Sequence, residues 1–160
     1  MKRDERLVRL SWDHHHGLVM ARRILKELPE ADDAAAEELY SDLLAFWSAG
    51  LLPHFRVEGE CLLARLVRHV PGGDETIERT THDHLDMAAL VSRMRDTSDP
   101  AERREALGEF GQRLQDHIRW EERVLFEVTQ GKLTDGELDA LKEDVDAYVP
   151  ELEAAPQPRE

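Results

Sequence analysis

The sequence predicts an all-α fold, an up-down-up-down four-helix bundle with a short additional C-terminal helix. Three observations support this. Apolar residues recur at helical spacing in four long segments, no segment reads convincingly as a strand, and the connections between segments are short. We assign residues 1–132 to the bundle. Residues 133–160 are predicted to form an acidic helix and tail that belong to the same domain.

Local signals place the ends of the first three helices. The first helix covers about residues 5–28 and ends at Pro29. The second covers about 34–70, and Pro53 should kink it locally because proline lacks a backbone N–H. The turn sequence PGGD (71–74) separates it from the third helix, at about 75–96.

Two further start signals define the remaining helices. Asp99 can cap the fourth helix, which runs from Pro100 to about residue 129, and Glu102 would complete a capping box. Thr134 and Glu137 form another capping box before the short fifth helix. Helical periodicity predicts seven inward residues on the fourth helix: Leu107, Phe110, Leu114, His117, Glu121, Val124 and Val128.

Composition narrows the classes of function. With 21 basic and 35 acidic residues, the formal net charge is −14, which argues against binding to nucleic acid or anionic membranes. The single cysteine, Cys61, rules out an intrachain disulfide. The N-terminal stretch KRDERLVRL is too charged for a signal peptide, and no apolar run approaches the ~20 residues of a membrane span. We therefore expect a cytoplasmic protein.

Each of the four long helices carries a histidine within its apolar stripe, and two of these histidines are followed one turn later by a glutamate. The histidines are His14, His54, His84 and His117, and the glutamates are Glu58 and Glu121. Side chains four residues apart point the same way on a helix. Burying ionised carboxylates without partners costs several kcal/mol. A dinuclear metal centre would compensate them, with imidazoles as terminal ligands and carboxylates as bridges.

A surface pair is the alternative interpretation of each His-x-x-x-Glu motif. The chain offers a comparison, because His82 and Asp86 have a similar spacing but lie among Arg79 and Arg93 on a face predicted to be solvated. One pair taken alone favours the surface interpretation. The coincidence over four helices favours metal binding.

Four blocks of sequence resemble the hemerythrin-like (HHE cation-binding) domains over about residues 7–130. They are LSWDHHHGLVMARR, LLPHFRVEGECLL, THDHLDMAALV and HIRWEERVLFE. The resemblance implies a four-helix bundle that holds a non-haem di-iron centre, with two iron ions that an oxo or hydroxo group can bridge. Matched block by block, it implies the ligands His14, His54, Glu58, His84, His117 and Glu121, with Glu58 and Glu121 as bridges.

The chain departs from hemerythrins proper at the third helix. Those proteins have two histidines one turn apart, whereas Thr80 precedes His84 by one turn and Ala88 follows it. The departure bears on reversible oxygen carriage rather than on metal binding. Two choices stay open: we prefer His14 to His15 because His14 shares its face with leucines, and Glu122 is a reserve ligand to Glu121.

The predicted function is metal binding by a di-iron centre that interacts with O2, NO or peroxide, in sensing, storage or stress response. A di-iron peroxidase or oxidase ranks lower, because no acid or base dedicated to a substrate is evident in the sequence. A purely structural bundle is the third possibility. The sequence contains no DNA-binding motif, and it does not identify a protein partner.

Overall fold

A computed structural model describes residues 2–148, and all regular structure in this range is helical. Five helices follow one another: α1 (Val8–Glu27), α2, α3 (Glu75–Asp96), α4 and α5 (Asp135–Ala147). Helix α2 is an uninterrupted series of α-helical and π-helical turns: Asp33–Phe46, the π turn Trp47–Leu51, Leu52–Val57, the π turn Glu58–Leu63 and Ala64–Leu66. Helix α4 has the same character, with Pro100–Trp120, the π turn Glu121–Leu125 and Phe126–Lys132.

The predicted helix starts are found with one difference. Asp99 accepts a hydrogen bond from the Ala101 N–H at the start of α4, and the capping box of Thr134 and Glu137 opens α5. Glu102 does not complete a capping box, because its carboxylate accepts the Thr97 hydroxyl 2.5 Å away instead. The acidic tail predicted after α5, residues 149–160, lies outside the described residues.

Helix α4 packs along both α1 and α3. Gly17 and Gly111 allow the close approach of α1 and α4: a Cβ atom on Gly111 would lie 2.8 Å from Ile24 Cγ2. An all-helical arrangement of four long helices and a fifth is compatible with the predicted bundle. No helix within residues 2–148 has the length and apolarity needed to cross a membrane.

Two apolar clusters form the core. One contains Leu43, Met87 and Phe110, and the other contains Leu62 and Phe126 and packs against α5. The first extends to Leu51, Phe55 and Leu114, and the second extends to Leu10 and Cys61. Five of the six residues predicted as ligands are among the buried polar residues, and His84 is partly buried. Burial of both clusters supplies the main favourable contribution to the stability of the helices.

The π turns change which residues face inward. A π turn, Trp47–Leu51, lies just before Pro53, and in it the Leu52 N–H donates to the Trp47 carbonyl five residues earlier. The local kink expected at Pro53 stays a prediction. The prediction that Val124 points inward is wrong, because Val124 is 36% exposed. The π turn that begins at Glu121 adds a residue to the turn, so that Leu125 and Phe126 take the buried positions instead.

Candidate metal centre

Six buried or nearly buried side chains from four helices meet between the two apolar clusters. Helix α1 contributes His14, α2 contributes His54 and Glu58, α3 contributes His84, and α4 contributes His117 and Glu121. Both glutamates are 0% exposed, whereas the side chain of His84 is 15% exposed. The i,i+4 spacing on α2 and α4 places each glutamate on the same helix face as the histidine one turn before it.

The two oxygens of Glu58 face different histidines. Oε1 lies 3.0 Å from His54 Nε2 and 3.3 Å from His14 Nε2. Oε2 lies 3.2 Å from His84 Nε2. The two oxygens of this carboxylate therefore lie against different imidazoles, His54 and His14 on one side and His84 on the other.

Glu121 has the complementary arrangement. Its Oε2 lies 3.1 Å from His14 Nε2, and its Oε1 lies 3.3 Å from His117 Nε2. Two groups of possible ligands result, and within each group the ligand atoms lie within 4.8 Å of one another. They are His14, His54, Glu58 and Glu121 in one group and Glu58, His84, His117 and Glu121 in the other.

The donor atoms of this cluster fit a metal ion better than they fit one another. Several are fully buried and have no hydrogen-bond partner within residues 2–148: Nε2 of His54, His84 and His117, Oε2 of Glu58 and both oxygens of Glu121. Buried polar atoms without partners cost several kcal/mol in sum, and native structures rarely contain so many in one place. Divalent cations at the two positions would satisfy them together.

Residues 6–129 match the family model described as the Hemerythrin HHE cation binding domain. The match spans the four helices that supply the cluster. The chain belongs to this family. Comparison with curated proteins and with solved structures found no significant match. The family is one of cation-binding domains, and the His/Glu cluster of this hemerythrin domain can hold the cations. Ligation by the six named residues stays a prediction.

Three carboxylates outside the cluster contact the far side of its imidazoles, a role that the sequence did not reveal for any of them. Glu122 Oε1 lies 2.7 Å from His14 Nδ1, Asp83 Oδ2 lies 3.3 Å from His117 Nδ1, and Asp13 Oδ2 lies 3.5 Å from His54 Nδ1. Such carboxylates orient imidazole ligands and make them more basic. His84 differs, because its ring stacks on Phe55 with centroids 3.8 Å apart.

Each of these carboxylates is adjacent in sequence to a residue predicted as a ligand. Asp13 directly precedes His14, Asp83 directly precedes His84, and Glu122 directly follows Glu121. Each carboxylate contacts an imidazole on another helix rather than its neighbour in sequence. Adjacency to a ligand therefore marks candidates, but only the packing of the helices assigns the partner.

The close contacts between buried carboxylates and imidazoles shift the pKa values of several groups in the hemerythrin domain. Burial lowers the pKa of His54, but Glu58 and Asp13 outweigh burial and raise this pKa to about 9. The pKa of His14 is also raised well above its usual value, because Glu121, Glu122 and Glu58 outweigh burial. Burial raises the pKa of Glu58, yet the imidazoles of His54, His14 and His84 bring it well below its usual value. Without metal, protons therefore balance the buried carboxylates.

The remaining histidines considered as alternatives lie away from the cluster. His15 is exposed and stacks against Trp12, with ring centroids 6.0 Å apart. His82 pairs with Asp86 at 3.3 Å on the surface, where its side chain is 71% exposed, as the comparison with the arginine-lined face predicted. Of the two positions one turn from His84, Thr80 and Ala88, Thr80 is buried, and its hydroxyl donates to the Thr76 carbonyl within its own helix.

Proposed function

We propose that this hemerythrin domain holds a non-haem di-iron centre and that the centre interacts with O2, NO or peroxide, in sensing, storage or stress response. The proposed ligands are His14, His54, Glu58, His84, His117 and Glu121. One observation carries the proposal: each of the two buried glutamates directs one oxygen towards each histidine pair. A single cation could use only one half of this arrangement.

The donor set favours iron or manganese over a closed zinc site. Each metal position has two imidazole nitrogens and two carboxylate oxygens, and thiolate is absent because the single cysteine, Cys61, belongs to neither ligand group. Four protein atoms leave coordination positions open on a metal that prefers more ligands. An open position is what a metal centre needs in order to bind a small molecule directly.

The space beside the cluster supports a small apolar ligand. A cavity of about 10 Å³ lies against it, lined by Leu51, Phe55, Leu114 and Ile118 together with Asp13 and four members of the cluster. This volume is close to what one water-sized molecule requires. Val91 and Trp47 lie in the adjacent apolar cluster and do not line this cavity. Of the proposed reactants, the diatomic molecules O2 and NO come nearest to this size, and larger polar substrates do not fit the cavity.

The up-down-up-down bundle is part of the same proposal. Packing of α4 along both α1 and α3 and the short connection between α3 and α4 support it. In such a bundle the cofactor site lies in the core, where facing helices supply the ligands.

A di-iron peroxidase or oxidase is a second candidate, and Asp13 is the observation that favours it. Asp13 lines the small cavity, and its buried Oδ2 has no hydrogen-bond partner within the described residues, although His54 Nδ1 lies 3.5 Å away. A carboxylate in this place could hold or deliver a proton to a reacting ligand. An Asp13→Asn variant that keeps its iron but loses turnover of peroxide would favour the enzyme.

The test of the proposed function is metal analysis of protein purified anaerobically after iron-replete expression, together with its visible spectrum. We expect about two iron atoms per chain, from the two ligand groups and their N/O donors. One zinc ion per chain, or no metal under these conditions, would contradict the proposal. A spectrum that does not respond to O2 or NO would instead favour a structural metal site.

A further inference from the structure

The N-terminal segment, residues 2–7, is anchored to helix α4. The Asp4 N–H donates to Gln130 Oε1 at 3.1 Å, and Gln130 Nε2 donates back to the Lys2 carbonyl at 3.1 Å. Leu7 is 0% exposed and belongs to the second apolar cluster. These contacts place the segment alongside the C-terminal part of α4, after the π turn that begins at Glu121.

Arg3 uses this placement to contact Glu122. Arg3 Nη2 lies 2.9 Å from Glu122 Oε2 and also donates to the Glu122 carbonyl. The Arg3 guanidinium lies 4.7 Å from the centroid of the Phe126 ring. One side chain from the N-terminal segment therefore contacts both an acidic and an aromatic residue of α4.

Glu122 and Phe126 are in turn the residues that hold His14. Glu122 Oε1 lies 2.7 Å from His14 Nδ1, while the Ser11 hydroxyl donates to Oε2 at 3.1 Å. The Phe126 ring stacks on the His14 imidazole, with centroids 5.1 Å apart and the planes 8° from parallel. Arg3 therefore contacts two residues, Glu122 and Phe126, each of which contacts His14.

We propose that Arg3 and Glu122 are positioning residues for the metal position formed by His14 and His54, and that the N-terminal segment is an outer part of this position. The inference rests on the proposed function. A carboxylate that accepts the Nδ1–H directs the Nε2 lone pair of His14 towards Glu58 and Glu121. Arg3 holds that carboxylate in place through a charge-assisted contact.

This arrangement goes beyond what the family match covers. The match begins at residue 6, so Arg3 and Asp4 lie before it. The position of His84 and His117 lacks these contacts, because its outer carboxylate is Asp83, which lies near Arg79 and Arg113. Loss of Arg3 should therefore affect one metal position and leave the other unchanged.

The experiment compares variants loaded anaerobically with ⁵⁷Fe(II), using Mössbauer spectra to separate the two iron environments and a competing chelator to measure the affinity of each. A His14→Ala variant identifies the signal of the His14 position. We expect Arg3→Ala and Glu122→Ala to weaken binding at that position by tenfold or more, with little change at the other. Arg3→Lys, which keeps the charge, should restore part of the affinity.

Arg103→Ala is the matched control. Arg103 also lies over an aromatic ring, Tyr40 at 4.8 Å, and also pairs with a carboxylate, Glu37 at 3.0 Å, but it does so away from the cluster. An Arg3→Ala variant that matches Arg103→Ala, or that weakens both iron positions equally, would overturn the inference while the proposed function stands. A wild-type protein that holds no iron would overturn both.

Discussion

Metal uptake by this hemerythrin domain should release protons, because His54 is protonated in the metal-free protein at neutral pH. The pKa of His54 is raised to about 9 by Glu58 and Asp13, which outweigh its burial. A metal ion needs the neutral imidazole, so binding must displace the proton. At pH 7, about one molecule in a hundred has a neutral His54, and this fraction limits the apparent affinity.

The size of the effect follows from this value. Each pH unit below 9 lowers the apparent affinity tenfold per displaced proton, so one proton gives about a thirtyfold increase between pH 6.5 and pH 8. His14 should displace a second proton over the same range, because its pKa is also well above the usual value. The expected release is therefore between one and two protons per loaded chain.

Isothermal titration of iron(II) under anaerobic conditions measures this directly. Titrations in buffers with different enthalpies of ionisation give the number of protons released, and their dependence on pH between 6.5 and 8 gives the slope. A chelator of known proton affinity is the control. Release of no protons, together with an affinity that does not change with pH, would refute the reasoning.

The same pKa of His54 predicts how stability depends on pH without metal. Its folded value, about 9, exceeds the unfolded value near 6.5, so its contribution is complete below pH 6.5 and is lost as the pH rises through 9. The loss in the free energy of unfolding is roughly 3 kcal/mol. The contribution of Glu58 depends on pH in the opposite direction. The pKa of Glu58 is lowered in the folded protein, so its contribution is present above the usual pKa of a glutamate and is lost as the pH falls below that value. Denaturant unfolding of metal-free protein at pH 6.5 and pH 9 checks the first effect, and equal stabilities would contradict it.

Three further predictions concern the site and the packing around it. His117→Ala should remove at least one iron and lower the melting temperature of the loaded protein, whereas His82→Ala should keep both irons; metal analysis showing the reverse would refute our assignment of faces. Gly111→Ala should lower the free energy of unfolding by up to about 2 kcal/mol, because the added Cβ would lie 2.8 Å from Ile24 Cγ2. Gly108→Ala on the same helix should raise the free energy of unfolding by about 0.5–1 kcal/mol. Equal changes for the two variants in chemical denaturation would disprove this. The reduced protein should oxidise in air without forming a long-lived reversible oxygen adduct; full recovery of the reduced visible spectrum on deoxygenation would show an oxygen carrier instead.

Helical periodicity predicted most of the fold correctly, and its main error has a physical cause. The positions of the five helices and the burial of the stripe up to Glu121 follow from a repeat of 3.6 residues. After Glu58 and after Glu121 the backbone enters a π turn, which delays the repeat by about one residue. Val124 was therefore expected inside, where the structure has Leu125 and Phe126.

The choice between neighbouring residues depended on context in different ways. His14 was preferred to His15 as the candidate ligand because leucines lie on the same helix face as His14. In the structure His14 lies in the buried cluster, and His15 is exposed. Glu122 was considered only as a substitute for Glu121. In the structure the two have separate places, with Glu121 inside the cluster and Glu122 on the outer side of His14.

The sequence by itself determined the helices and the candidate ligand pairs, because both depend on residues within one or two turns of each other. The i,i+4 pairs His54/Glu58 and His117/Glu121 are local features of this kind. Only the tertiary structure decided which carboxylate oxygen faces which histidine, which outer carboxylate supports each imidazole, and that Arg3 reaches Glu122. These contacts join residues that are far apart in the chain, and they depend on the rotation and spacing of packed helices, which local periodicity does not specify.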